Sequence, residues 1–308
     1  MSQYGKWHDF CRDSGSGHAT IPVCNLFSES RARGTTQEFY RGCELTGISS
    51  GGEVKVANLV NAGVGSILIA FFAILISAFL LWKSDRKKAA VGRREMQIFL
   101  IGFIIIEICE IFTVGGFPLN GAVRRAFSAA HIAAVVATLW ILMMNGAVGY
   151  QLIDDGTPLS LALIFGSAVV LFIGTGYIAL DTGFSWTGYF DDTLAAPNQA
   201  YALYTLYQLV PIVFLFVYFV LQTVLVLRVL GEVRPMYFLV AATLLFVIGQ
   251  IFQYVASVHI CNGTNGKING GLFETLFTLL AVIIIWVFWS SITEDDWPMP
   301  PSTGSTYT

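Results

Sequence analysis

The sequence predicts an all-α, polytopic membrane protein: a bundle of seven transmembrane helices with a lumenal N-terminus and a cytoplasmic C-terminus. Two observations carry the class. Of 308 residues 55% are hydrophobic and only 12% charged, where soluble chains carry about 25% charged residues, so much of the surface must face lipid. The chain also holds repeated charge-free stretches long enough to cross about 30 Å of hydrocarbon at 1.5 Å per residue. A net charge of -3 excludes the concentrated basic face that nucleic-acid binding requires. Five cysteines among 24 Phe, 12 Tyr and 7 Trp describe neither a small disulfide scaffold nor a disordered chain.

The spans follow in order. Residues 56–82 lie between Lys55 and Lys83 without a charge. Residues 96–116 are apolar apart from Glu107 and Glu110, and 126–149 apart from His131. Stretches 156–180, 193–227, 235–258 and 275–293 contain no Asp, Glu, Lys or Arg. Between them Gly115-Gly116-Phe117-Pro118, Asp155-Gly156-Thr157-Pro158 and the run from Gly263 to Gly271 suit turns at helix ends. Residues 1–55 are polar and lack an early apolar core, so they read as a cysteine-containing lumenal tail rather than a cleaved signal peptide. The transmembrane domain is then 56–292, and 293–308 form a short acidic cytoplasmic tail.

Orientation rests on the 83–95 loop, where Lys83, Arg86, Lys87, Lys88, Arg93 and Arg94 face only Asp85 and Glu95. The positive-inside rule makes this loop cytoplasmic. The sequon Asn262-Gly263-Thr264 then falls on the lumenal side, in the loop between spans six and seven, as a candidate glycosylation site. Cys11, Cys24, Cys43 and Cys261 share that oxidising side, and Cys109 lies within span two. Four cysteines in one compartment suit two disulfides, with three connectivities open.

Ionisable residues inside spans cost about 2.5–3.5 kcal/mol each on insertion scales and therefore face protein or water. Glu107 and Glu110 are three residues apart on one helix face. Opposite helix directions bring His131 of span three to the depth of Glu110, and Glu274 and His259 lie at the lumenal ends of spans seven and six. Such a cluster either fixes packing by interhelical contact or serves as a proton relay or ligand site. The four histidines, two of them in the tail, are too few and too scattered for a metal centre. No Ser-His-Asp grouping or phosphate loop is visible, so neither enzyme activity nor a cofactor is expected. A seven-span receptor is disfavoured: span three ends without Asp-Arg-Tyr, span seven lacks Asn-Pro-x-x-Tyr, and no lysine there could carry retinal. After span seven, Glu294-Asp295-Asp296 has the acid-x-acid form of a cytoplasmic address for export from the endoplasmic reticulum, or is a solvated helix end.

Four segments together resemble one family, the fungal chitin synthase export chaperones: AVGRREMQIF at 90–99, NGAVGYQLIDDGTPLSL at 145–161, FVIGQIFQYVASVHIC at 246–261 and GGLFETLFTLLAVIIIWVFWSSITEDD at 270–296. The stretch with Asn145, Gly146, Gln151, Asp154, Asp155 and Gly156 is the most specific, because a polar loop of that length does not match through apolar composition. Cys11, Pro22-Val23-Cys24 and Cys261 also resemble the family's cysteine pattern. The chain departs from it at Ala19-Thr20-Ile21-Pro22, at Arg124-Arg125 and at Gly270-Gly271-Leu272-Phe273-Glu274, departures that bear on which client it serves. The resemblance implies a multi-pass protein of the endoplasmic reticulum membrane that binds a polytopic chitin synthase, lets it fold and leave for the cell surface in support of cell-wall chitin synthesis, and has no catalysis of its own. Its partners would be the synthase, membrane lipid and, as a candidate, an export-vesicle coat, and it could accompany its client to the plasma membrane. The alternative is a receptor or transporter that uses the lumenal-side polar cluster.

Overall fold

Seven long apolar helices and one short one make up the computed structural model, which describes residues 4–7, 10–11, 20–27, 64–114, 120–151, 155–190, 199–265 and 268–293. The sequence-predicted residues Cys43, Asp154, Glu294, Asp295 and Asp296 lie outside them. The short helix is α1, Pro22–Leu26. The spans are α2, Val64–Arg86; α3, Arg93–Thr113; α4, Gly121–Val148; α5, Pro158–Phe184; α6, Tyr201–Leu230; α7, Arg234–Gly263; and α8, Gly270–Ser291.

Local chemistry sets several of the helix ends. Asn120 caps α4 by accepting the Ala122 N–H at 3.2 Å, and Thr157 caps α5 by accepting that of Ser160 at 3.3 Å, with Pro158 at the first helical position. A positive φ of 67° at Gly231 ends α6, a conformation that costs glycine nothing. Helix α6 contains π-helical turns at Thr205–Leu209 and Leu225–Leu230, and α7 one at Phe252–Ala256. Such turns widen a helix locally and concentrate at functional sites.

Helix α4 is the central post, packed by α3, α5, α6 and α1. Helix α3 passes between α4 and α2, and α8 between α2 and α7. Helices α6 and α7 follow each other in sequence yet touch only lightly, because α6 lies along α4 and α7 along α8. One end of the bundle carries the 83–94 turn and is called the basic end. The other, the cysteine end, receives the N-terminal segment.

That segment is part of the bundle, which the tail reading of residues 1–55 did not anticipate. Trp7, Ile21, Val23, Leu26 and Phe27 are buried in one apolar cluster with Ala129 and Ile132 of α4, Ala179 of α5 and Leu203 of α6. Asn25 Nδ2 donates to Ser128 Oγ of α4 at 3.1 Å, Phe10 meets the Tyr254 ring of α7 edge-on, and Ala200 N donates to Gly5 O at 3.0 Å. Residues averaging polar over 1–55 therefore contain an apolar wedge, and its burial is what orders it. A disulfide joins Cys11 to Cys24 and closes the wedge on itself.

Helix ends also differ from the apolar runs. Helix α4 starts at Gly121, so Arg124 and Arg125, expected in a loop, lie within it. Arg125 is buried, donates to Gly183 O at 3.0 Å and sits 4.6 Å from the Phe184 ring centroid, which accommodates its charge. Helix α7 runs on to Gly263, which puts Asn262, expected in a loop, on its last turn, exposed. A helix continues past its apolar run when the final turn can reach water.

Serine at Cys11 or Cys24 is expected to lower the unfolding free energy in detergent by about 3 kcal/mol, the value for a loop of this size. The double variant should lose no more than either single one, since one bond is lost in all three; a doubled loss would assign the effect to packing.

Candidate functional site

At the basic end, two turns interlock. Glu95 in the first turn of α3 is fully buried, and its Oε1 accepts the Gly156 N–H at 3.1 Å and the Ser160 hydroxyl at 3.2 Å, tying α3 to the entry of α5. Gly92, at φ +67°, donates its N–H to Asp155 Oδ2 at 2.9 Å, while its carbonyl accepts from Asn145 Nδ2 of α4 at 3.3 Å. Trp289 of α8 donates its indole N–H to Val91 O at 2.9 Å. Gly146 lets α6 approach: a Cβ there would lie 3.0 Å from Tyr218 Cδ2. The structure thus brings Asn145, Gly146, Asp155 and Gly156 together with the 90–99 stretch. Gln151 is exposed, with φ +51°. The surface pair of Arg94 and Asp85, 3.8 Å apart and more than half exposed, contributes little.

Toward the cysteine end a second group of polar residues joins four helices. His131 Nε2 of α4 lies 3.1 Å from Glu110 Oε2 of α3, both side chains being less than a tenth exposed. Thr275 Oγ1 of α8 is 3.4 Å from the other Glu110 oxygen. Glu274 accepts from Thr278 Oγ1 at 2.8 Å and from Gln250 Nε2 of α7 at 3.4 Å, which ties α8 to α7. Glu107 is buried one turn from Glu110, and its Oε2 has no hydrogen-bond partner. Glu107, Glu110 and Glu274 lie close enough to repel one another when charged. His259 is exposed on α7. Among the described residues no three or more His, Cys, Asp or Glu side chains are disposed to hold a metal ion.

Of the candidate cysteines, Cys11 and Cys24 are joined, Cys261 is disulfide-bonded, and Cys109 is free and buried. Sequence reasoning missed Glu95, which reads as one anion among six cations, and Trp289, which reads as one more apolar residue of span seven. It also missed Asp181, fully buried at the end of α5, which accepts the Thr187 N–H at 2.6 Å and its hydroxyl at 2.9 Å and so shapes the following loop. Its place within the AVGRREMQIF stretch at 90–99 was the available signal for Glu95.

Fold and polar cross-links together define a polytopic α-helical membrane protein whose buried polar groups join helix to helix. A family model for chitin synthase export chaperones matches residues 3–303. The chain belongs to that family. A chitin synthase export chaperone of Coccidioides immitis is 30% identical over 95% of this chain and 83% of the relative; one of Chaetomium globosum is 31% identical over 79% and 72%; and one of Neurospora crassa is 27% identical over 96% and 78%. No solved structure matches.

Truncating one partner of the buried Glu110–His131 pair leaves the other without its hydrogen-bond partner, at a cost of about 1–3 kcal/mol. His131→Ala should therefore destabilise the detergent-solubilised protein by that amount, and adding Glu110→Leu should restore part of it. Additive losses in the double-variant cycle would show the two groups to be uncoupled.

Proposed function

We propose that this protein works in the endoplasmic reticulum membrane as a chaperone for a polytopic chitin synthase, binding it until it is folded and fit for export, without catalysis or a cofactor of its own. The observation that carries the reading is the family match over residues 3–303, which takes in the N-terminal wedge and all seven spans. The cross-linked interior supports it by making a rigid frame. Broad helix faces remain on the outside, including Phe165, Val170 and Ile173 of α5 and Tyr237, Leu244 and Val255 of α7. On α5, Gly166 and Gly174 face open space, where a second helix could approach closely. Lipid-embedded helices associate through such packing and through interhelical hydrogen bonds, so a frame of this kind can cover a client's unassembled faces.

In this reading the basic end is cytoplasmic, the cysteine end lumenal, and Asn262 a glycosylation acceptor. Cys43 is the one cysteine of five not otherwise accounted for, and we assign it as the partner of Cys261. Glu294, Asp295 and Asp296 then serve as the cytoplasmic address read by an export-vesicle coat, and the protein travels with its client.

Deleting the protein should trap a chitin synthase in the endoplasmic reticulum and lower cell-wall chitin while the synthase polypeptide is still made; normal delivery of every synthase would overturn the chaperone reading. Truncation before Glu294 should slow movement of the complex more than it weakens co-purification of the synthase. Equal losses in both would place client binding, rather than an address, in the tail.

A further inference from the structure

Helix α2 stands at the edge of the bundle, packed chiefly against α3 and α8. At 3.6 residues per turn, Leu68, Phe71, Phe72, Leu75, Phe79 and Trp82 fall on one side of it, and each is about half exposed. From Leu68 to Trp82 this apolar stripe runs about 21 Å at 1.5 Å per residue, longer than the roughly 15 Å of hydrocarbon in one leaflet. Trp82, whose ring centroid lies 5.8 Å from that of Phe79, closes the stripe. The next residue, Lys83, is the first charge of the helix. Trp82 therefore sits at the boundary between hydrocarbon and headgroups, where indoles gather.

Arg86 and Lys83 stand at the top of this stripe. The Arg86 side chain folds back toward the helix start, as long helical side chains do, and its guanidinium carbon lies 3.7 Å from the Trp82 ring centroid. Lys83 Nζ lies 5.0 Å from the ring centroid of Trp286 on α8. Trp82, Arg86 and Lys83 occupy about 100° of arc on α2, so the two cations are neighbours. A ring face attracts a cation without cancelling its charge or using its N–H groups. Among the described residues neither charged head forms a hydrogen bond or an ion pair. Asp85, the acid nearest in sequence, is taken by Arg94 at 3.8 Å and by Gln97 Nε2 at 3.3 Å. A guanidinium edge and an ammonium are thus held in place, exposed and without an anion. The guanidinium fork matches phosphate oxygens bidentately, and an anion with apolar chains of leaflet length would fill both the cations and the stripe.

We propose that this edge of α2 binds one anionic phospholipid, with its phosphate on Arg86 and Lys83 and its acyl chains along the stripe from Leu68 to Trp82. Resting on the cytoplasmic placement of the basic end, the lipid comes from the cytoplasmic leaflet, where anionic lipids attract basic segments beside a span. Trp82 and Trp286 position the two cations.

The test titrates the full chain, purified in a neutral detergent, with phosphatidylserine or phosphatidylcholine and counts bound lipid by native mass spectrometry. Phosphatidylserine should bind about tenfold more tightly, through charge-assisted hydrogen bonds. Lys83→Gln with Arg86→Gln should remove that preference. The charge-matched pair Lys88→Gln with Arg228→Gln, also exposed at this end, should change affinity by no more than about threefold, as isolated surface charges do. Trp82→Leu keeps every charge but frees Arg86, and should weaken phosphatidylserine binding about fivefold. All these side chains are exposed, and an unchanged unfolding temperature without added lipid checks that the variants fold. Equal binding of the two lipids, or equal losses in the two charge pairs, would overturn the site. So would displacement of phosphatidylserine by an equal concentration of inorganic phosphate, which would leave the stripe no role. A gain in affinity on truncation before Glu294 as large as the loss in the Lys83 and Arg86 pair would make the acidic tail the occupant of the cations and overturn the site too. Orientation is read independently, from glycosylation of Asn262.

Discussion

The buried Glu95 carboxylate is the interaction on which the basic end depends. Its Oε1 serves both the Gly156 N–H and the Ser160 hydroxyl, and through them it sets the start of α5 relative to the start of α3. Once those two ends are fixed, Gly92 can meet Asp155 and Asn145 in a single turn, and Trp289 can close over Val91. A carboxylate withdrawn from solvent is tolerated only when donors replace the lost water. The Gly156 N–H and the Ser160 hydroxyl do so at Oε1 alone, Oε2 having no hydrogen-bond partner, and both belong to the 145–161 stretch.

The seven spans were legible because lipid imposes a simple rule: a segment that crosses must be long and nearly free of charge. The Glu110–His131 contact was legible too, since antiparallel neighbours bring residues at matching depth together, and only length arithmetic is needed. Glu95 was not, because proximity to six cations in sequence suggests a solvated counter-charge, and nothing in composition marks which of two adjacent turns will fold over it. The wedge of Ile21 to Phe27 was hidden for a different reason. Averaged over 55 residues its apolar character vanishes, and short segments gain order only from the surface they dock against. The burial of Arg125 within α4 was not legible, because an arginine that finds a carbonyl and an aromatic face can sit inside a helix despite its charge.

Helices α6 and α7 show how connectivity and packing can part. A three-residue link joins them, yet each lies along a different neighbour, α4 in one case and α8 in the other. Both contain π turns, and the N-terminal wedge fills the space beside them at the cysteine end, where Trp7 packs against Tyr204 and Tyr207 of α6 and Phe10 against Tyr254 of α7. The first residues of the chain therefore complete a wall that its later spans leave open.

This arrangement sets an order of events during biosynthesis. The wedge leaves the ribosome first, but its seat includes Tyr254 and Ser257 of α7 and Asn269 at the start of α8, with Thr20 Oγ1 lying 3.4 Å from Ser257 Oγ and 3.3 Å from Asn269 Nδ2. Those residues are made some 240 positions later and must first be inserted. Cys11 and Cys24, only 13 residues apart, can be joined long before that. The N-terminal segment can thus be cross-linked while still undocked, and it seats only once α7 and the start of α8 are in place.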